Sequence, residues 1–162
     1  MATIERHRYK KINKEWKIFE TAVLNYKKIP YNEQSILEYS KIIKSILTPE
    51  FLSKKYKEEN EKNPMYGHCY HTTQAMYYLL DHKDTLEAYT AIDYKGEQHW
   101  WLKDKNNGLI IDITADQYFN INKKPPYDKG KARQWYGWKN RPHKRTFKLI
   151  MKIQPESRLT FK

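Results

Sequence analysis

The first sixty residues carry apolar side chains at helical spacing. One stripe predicts a helix over residues 12–28, which ends before Pro30 because the residue preceding a proline avoids the helical region. The apolar positions of this stripe are Ile12, Trp16, Phe19, Val23 and Tyr26. Similar spacing predicts a second helix over 32–47 and a third over 49–60, with Pro49 in its first turn. The N-terminal part should therefore be helical.

From residue 86 onward the apolar period changes to two. Three segments rich in β-branched and aromatic residues, 86–94, 97–103 and 108–113, predict strands. Gly96 and the polar run 104–108 mark the short turns between them, so the strands should form an antiparallel meander. The segment 144–153 fits either a helix or a strand. Helices in the first half and strands in the second indicate an α+β fold.

The length and the charge distribution indicate how the chain is organised. A length of 162 residues suits a single domain over 1–162, with N-terminal helices in 1–62, a core motif in 63–118 and a basic segment in 119–162. The formal net charge is +12, and residues 123–152 supply eleven Lys or Arg against the single acid Asp128, or ten of these charges. Such a surplus favours polyanionic partners.

The composition also excludes several settings. One cysteine cannot form an internal disulfide, the N-terminus is too charged for a signal peptide, and no apolar run is long enough to span a bilayer. We therefore expect a cytoplasmic protein without a membrane partner. Its oligomeric state does not follow from the sequence.

The only cysteine, Cys69, stands in the stretch GHCYHTTQAMYYLL at the predicted start of a helix. The free N–H groups and the dipole at a helix N-terminus stabilise a thiolate, and Gly67 permits the tight turn before it. These features suit a nucleophile. The alternative is that Cys69 is a small buried apolar residue.

A base and an orienting carboxylate are available on the predicted strands. If a loop over 104–107 places Lys103 opposite Gly108, His99 falls directly opposite Asp112 on the same face. The carboxylate could then orient the imidazole, whose other nitrogen would face Cys69, as in a triad of nucleophile, base and orienter. The alternatives are a strand histidine packed between tryptophans for His99 and an edge or cap role for Asp112.

The motifs G-x-C, H-W-W and I-D-I-T-A, in this order over residues 63–118, resemble the transglutaminase-like branch of the papain-like cysteine enzymes. The longer pattern HWWL…IIDITADQY is also similar to bacterial and bacteriophage sequences. The resemblance implies a papain-like core, in which a cysteine-bearing helix packs on a small antiparallel sheet, and a bacterial cytoplasmic setting, with a bacteriophage origin as one option. It also implies catalytic roles for Cys69, His99 and Asp112, no cofactor, and a protein or small amide or ester as substrate.

Three further residues are candidates for the oxyanion hole or the substrate pocket. Asn63 precedes Cys69 where the family supplies a side-chain amide, although family members more often have Gln there, and a loop or cap role is the preferred interpretation. Trp101 shares the predicted face of His99 and could form a wall of the pocket, whereas Trp100 should fill the core. Gln117 could line the pocket, but capping a short helical turn is the simpler role.

Two other functions compete with catalysis. Metal binding at His68, Cys69 and His71 is disfavoured, because no C-x-x-C motif or further H-x-x-x-H pair completes a tetrahedral zinc site. Nucleic-acid binding without catalysis is the main alternative function, because cations interleaved with aromatic rings suit phosphate contact and base stacking. Its candidate residues are Lys131, Arg133, Trp135, Trp138, Arg141, Lys144 and Arg145. A solvated basic surface would explain the same pattern.

Overall fold

The chain begins with a long β-hairpin. A computed structural model describes residues 2–162, and its first two strands are β1 (Ala2–Ile12) and β2 (Glu15–Tyr26). Asn13 and Lys14 form the connection with φ values of 52° and 66°, the left-handed pair that a two-residue hairpin turn requires. The predicted helix over 12–28, and with it the description of 1–62 as helical, is therefore wrong.

Only the base of the hairpin packs on the rest of the protein, and its turn end projects into solvent. Ile4 and Leu24 are fully buried at its base, whereas Trp16 and Phe19 at its far end are 69% and 51% exposed. Of the apolar stripe that resembled a helix face, Tyr26 is buried in the core, whereas Trp16 and Phe19 have no core to pack against. β7 (Arg158–Phe161) pairs with β2, so the first sheet has the order β1-β2-β7.

The next elements are helical, partly as predicted. α1 (Glu33–Ile46) lies within the predicted range, and its N-cap Asn32 accepts a hydrogen bond of 2.8 Å from the Ser35 backbone N–H. The predicted third helix is instead two 3-10 turns, Pro49–Phe51 and Lys54–Tyr56, followed by the short α2 (Lys57–Lys62). These turns lead to the loop that precedes the cysteine.

α3 (Cys69–Leu79) is the most buried helix and packs on the second sheet. This sheet has the order β5-β4-β3-β6, built from β3 (Leu86–Ile92), β4 (Gln98–Asp104), β5 (Ile110–Ile111) and β6 (Lys131–Ala132). The predicted antiparallel meander is therefore present. The Thr73 hydroxyl on α3 donates to the Trp100 carbonyl oxygen on β4 at 3.1 Å, which ties the helix to the sheet.

Two more helices complete the α+β arrangement. α4 (Asp116–Phe119) follows β5, and α5 (Lys144–Ile153) packs its apolar face on α3. The segment that fitted either a helix or a strand is thus a helix. No helix among residues 2–162 is long and apolar enough to cross a membrane.

Candidate active site

Cys69 is the first residue of α3, and its side chain is nearly buried, with 9% exposed. Gly67 makes this placement possible. Its φ is +84°, and a Cβ there would lie 2.9 Å from both Leu52 Cδ2 and Tyr56 Cβ, so conformation and space both require glycine. The sulfur lies 3.7 Å from the Gln98 carbonyl oxygen, which the thiol can reach as a weak donor.

His99 and Asp112 form a buried pair beside this helix end. The Nε2 atom of His99 donates to Asp112 Oδ2 at 2.6 Å, and the two side chains are 0% and 2% exposed. Nδ1 of His99 is buried and makes no hydrogen bond of ordinary geometry with the residues described. Because Nε2 is engaged by the carboxylate, Nδ1 is the nitrogen left for the Cys69 sulfur. The structure thus brings His99 and Asp112 into direct contact and places Cys69 close enough to influence the charge of the imidazole.

The register that joins these residues differs from the predicted one. Lys103 pairs with Ile110 rather than Gly108, which places the loop at 105–108 and Asp112 diagonal to His99, just past the end of β5. A slip of one residue would have turned the side chains to the other face, but a slip of two preserves the face. His99 and Asp112 therefore remain neighbours.

Further hydrogen bonds hold the Asp112 carboxylate. The Tyr127 hydroxyl donates to Oδ2 at 2.8 Å, and the Thr114 hydroxyl lies 3.4 Å from Oδ1. Burial and the neighbouring carboxylate raise the pKa of Tyr127, so its hydroxyl remains a donor. Tyr127 was missed in the sequence as a site residue. The proline-rich turn before it was visible, but nothing local indicated that the turn lies against Asp112.

Aromatic rings enclose the His99 imidazole. Trp101 stacks on it with centroids 5.7 Å apart, and Tyr118 meets it edge-on at 4.8 Å. Trp101 does share the His99 face as predicted, but it is only 1% exposed and packs behind the ring rather than forming a pocket wall. Trp100, predicted to lie only in the core, borders both the core and the cavity next to Cys69.

The electrostatics favour a charged imidazole. Burial alone disfavours protonation, but the interactions with Asp112 and with Cys69 outweigh it and raise the pKa of His99 to about 10. At neutral pH the ring can therefore carry a positive charge next to the sulfur. An imidazolium and a helix N-terminus together stabilise a thiolate.

A cavity of about 310 Å³ opens at Cys69. Aromatic side chains, carboxylates and cations all contribute to its walls. Charged or polar side chains along it include Asp93, Glu97, Gln98, Gln117, His143 and Arg145. The volume suits a short peptide segment or a small amide.

Of the two predicted amide candidates, Gln117 borders the cavity at Cys69 and Asn63 does not. The Asn63 amide donates to the Gln117 carbonyl oxygen at 2.6 Å, and Asn63 lies outside the cavity at Cys69, so its side chain does not serve as an oxyanion donor there. Gln117 does border the cavity, while its Nε2 donates to Thr114 Oγ1 at 3.1 Å. Gln98, not singled out in the sequence, also borders the cavity.

The histidines flanking the cysteine bind each other. His68 Nδ1 and His71 Nε2 lie 2.9 Å apart, both rings are buried, and burial lowers the pKa of His68 to about 4. No group of three or more His, Cys, Asp or Glu among residues 2–162 has the arrangement of a metal site. A neutral, mutually hydrogen-bonded pair accounts for both histidines.

The predicted anion-binding residues lie in four different places. Lys131 and Arg133 are exposed on and next to β6, and Arg145 borders the cavity at Cys69. Trp138 is 2% exposed and packs on Trp100 with centroids 5.5 Å apart, so the prediction that it contacts a ligand is wrong. The remaining three border a separate cleft: Trp135, Arg141 and Lys144.

Comparison with protein-family models, with curated proteins and with solved structures finds no match to this chain.

Proposed function

We propose that this chain is a cysteine-dependent acyltransferase or amide hydrolase with a papain-like, transglutaminase-like core. The observation that carries the proposal is the buried hydrogen bond of 2.6 Å between His99 Nε2 and Asp112 Oδ2, formed next to a cysteine at a helix start. A carboxylate on one imidazole nitrogen fixes the tautomer whose other nitrogen can accept a proton. The resemblance of G-x-C, H-W-W and I-D-I-T-A to that family supports the same residues.

In the proposed reaction, His99 Nδ1 takes the proton of the Cys69 thiol, and the thiolate attacks the carbonyl carbon of an amide or ester. The carbonyl π electrons move to the oxygen, and the Cys69 backbone N–H at the helix start is a main-chain donor for that oxyanion. Collapse of the intermediate breaks the bond to the leaving amine or alcohol, which takes the proton from His99. Water or an amine then attacks the thioester, with His99 again as the base.

The lining of the cavity supports a peptide-like substrate. Aromatic walls and the Gln98 and Gln117 amides suit an acyl group with polar substituents, and the carboxylates of Asp93 and Glu97 suit a cationic or amine-bearing partner. Hydrolysis and transfer share the thioester, so the proposal covers both fates.

An activated ester tests the proposal directly. With p-nitrophenyl acetate, the wild-type chain should become acetylated at Cys69, as located by peptide mass spectrometry, and should release nitrophenol catalytically. Cys69→Ala should lose both signals while keeping its circular dichroism spectrum. Asp128→Asn, which removes an exposed carboxylate next to Tyr127, is the matched control and should retain both. Equal turnover in a folded Cys69→Ala variant would refute the proposal.

A further inference from the structure

A second cleft lies between the N-terminal hairpin and the loop before α5. Its volume is about 380 Å³, and β1 contributes Arg6, His7 and Tyr9 to one side of it. The other side comes from the chain before and at the start of α5: Trp135, Arg141, Pro142, His143 and Lys144. The cleft therefore joins segments more than a hundred residues apart, and no part of the proposed thiol chemistry uses it.

The cations of this cleft have no carboxylate partner. Arg6, Arg141 and Lys144 form no ion pair with any residue of the described chain, and no acidic residue lines the cleft. Some other surface cations are paired, for example Arg8 with Glu20 at 3.6 Å, and the unpaired ones elsewhere are not gathered around this cleft. Three unpaired cations around one concavity produce a positive potential that attracts an anion.

The neighbouring histidine reports the same potential. Burial lowers the pKa of His143, and the charges of Arg145, Arg6 and Lys144 lower it further. A field that disfavours a proton on His143 favours a negative charge at the same place.

Aromatic rings in the cleft point to the class of anion. Trp135 is 41% exposed although its ring stacks on Tyr70 at 6.2 Å, and Tyr9 is 48% exposed. Exposed rings beside cations suit nucleobases, which stack on them while phosphates contact the charges. Inorganic phosphate or an acidic peptide would use the cations but not the rings.

We propose that the cleft between β1 and the loop before α5 binds single-stranded nucleic acid, with Arg6, Arg141 and Lys144 at the phosphates and Trp135 and Tyr9 under the bases. The site does not depend on Cys69. Binding can therefore be measured in the Cys69→Ala background, where failure of the proposed acyl transfer has no effect on the result.

The test is fluorescence anisotropy with a fluorescein-labelled oligothymidylate of about 12 nucleotides, a length within the range of single-strand sites. Three phosphate contacts predict a slope of log K against log salt of about −2 from these residues, or about 20-fold weaker binding between roughly 50 and 200 mM NaCl. The triple variant Arg6→Gln/Arg141→Gln/Lys144→Gln should therefore have a slope shallower by about 2 than the wild type. Trp135→Ala should weaken binding by roughly 5- to 150-fold, and Tyr9→Ala by a similar factor.

The control has the same net charge as the cleft variant. Lys41→Gln/Lys57→Gln/Lys105→Gln removes three exposed, unpaired cations from α1, α2 and the loop after β4 and should leave binding near the wild-type level. Equal loss in the two triple variants would overturn the site in favour of diffuse attraction. Unchanged affinity in Tyr9→Ala and in folded Trp135→Ala, or equal affinity for a glutamate dodecapeptide, would overturn base stacking and with it the proposal.

Discussion

Replacing Asp112 by Asn removes the charge of the orienting carboxylate while keeping its shape. The oxygen that accepts from both His99 and Tyr127 can be the amide oxygen, which leaves the amide nitrogen toward the Thr114 hydroxyl, itself able to accept. The fold and the ring orientation should therefore persist. Only the electrostatic support of the imidazolium is lost.

The size of the effect follows from the burial of the pair. The two side chains are 0% and 2% exposed, so water does not screen their attraction. A hydrogen bond to a charged group contributes about 1.5–3 kcal/mol, which corresponds to a factor of about 10 to 150. If the imidazolium stabilises the reactive thiolate, the thiolate population at neutral pH should fall by this factor.

Alkylation by iodoacetamide measures this population, because Cys69 is the only thiol in the chain. In the wild type the pKa of His99 is raised to about 10, so the ion pair should persist until the pH rises through that value. In Asp112→Asn the pH above which the ion pair is lost should move down toward the ordinary histidine pKa of about 6.5, and alkylation at about pH 7 should slow 10- to 150-fold. The control Asp128→Asn should react like the wild type. An unchanged rate in folded Asp112→Asn would refute the electrostatic coupling.

Three other changes test the packing around the site. Gly130→Ala places a Cβ 2.4 Å from Trp101 Cζ2, at a backbone conformation that any residue adopts, so the effect should come from the steric clash alone. The free energy of unfolding in urea should fall by about 1–3 kcal/mol, and adding Trp101→Phe should recover part of this loss. Losses that add in the double variant would contradict a clash. Gln74→Met removes a buried amide that donates to the Gly137 carbonyl oxygen and accepts from the His143 N–H and the Thr146 hydroxyl. The Gly137 oxygen keeps the Tyr78 hydroxyl as a donor, but the His143 N–H and the Thr146 hydroxyl lose their acceptor, so the free energy of unfolding should fall by about 1–3 kcal/mol for each of these two groups that stays buried. An unchanged urea midpoint would argue against the network. Burial lowers the pKa of His68 to about 4, so its contribution to the free energy of unfolding is present above about pH 6.5 and is lost as the pH falls toward 4. The free energy of unfolding should therefore fall by about 3 kcal/mol over this range in the wild type, and His68→Asn should abolish this part of the fall. The same acid slope in the variant would assign the loss to other groups.

The central motif was predictable because its signals are local. A glycine before a helical pattern located the start of α3, and period-two segments with short polar turns located β3, β4 and β5. The prediction that His99 and Asp112 share a face survived an error of two residues in register, since side chains on a strand alternate with a period of two.

The contacts around the site were not predictable in the same way. Tyr127 reaches Asp112 from a turn 15 residues away along the chain, and the path of that turn depends on the packing of Gly130 against Trp101. The burial of Trp138 likewise depends on how the basic segment folds back over α3. Neither dependence leaves a pattern in the local sequence.

The N-terminal hairpin shows how two periods can coexist. In β2, Trp16, Phe19, Val23 and Tyr26 have helical spacing, but Ala22, Leu24 and Tyr26 alternate in register with the sheet. The deciding signal is the turn: Asn tolerates a positive φ, and an Asn-Lys pair between two β-branched and aromatic segments favours a hairpin over a continuous helix. This choice also determines the surface of the protein. Only a strand over residues 2–12 brings Arg6 and Tyr9 beside Trp135 and Arg141, so a helix there would have left the basic segment without the second wall of its cleft.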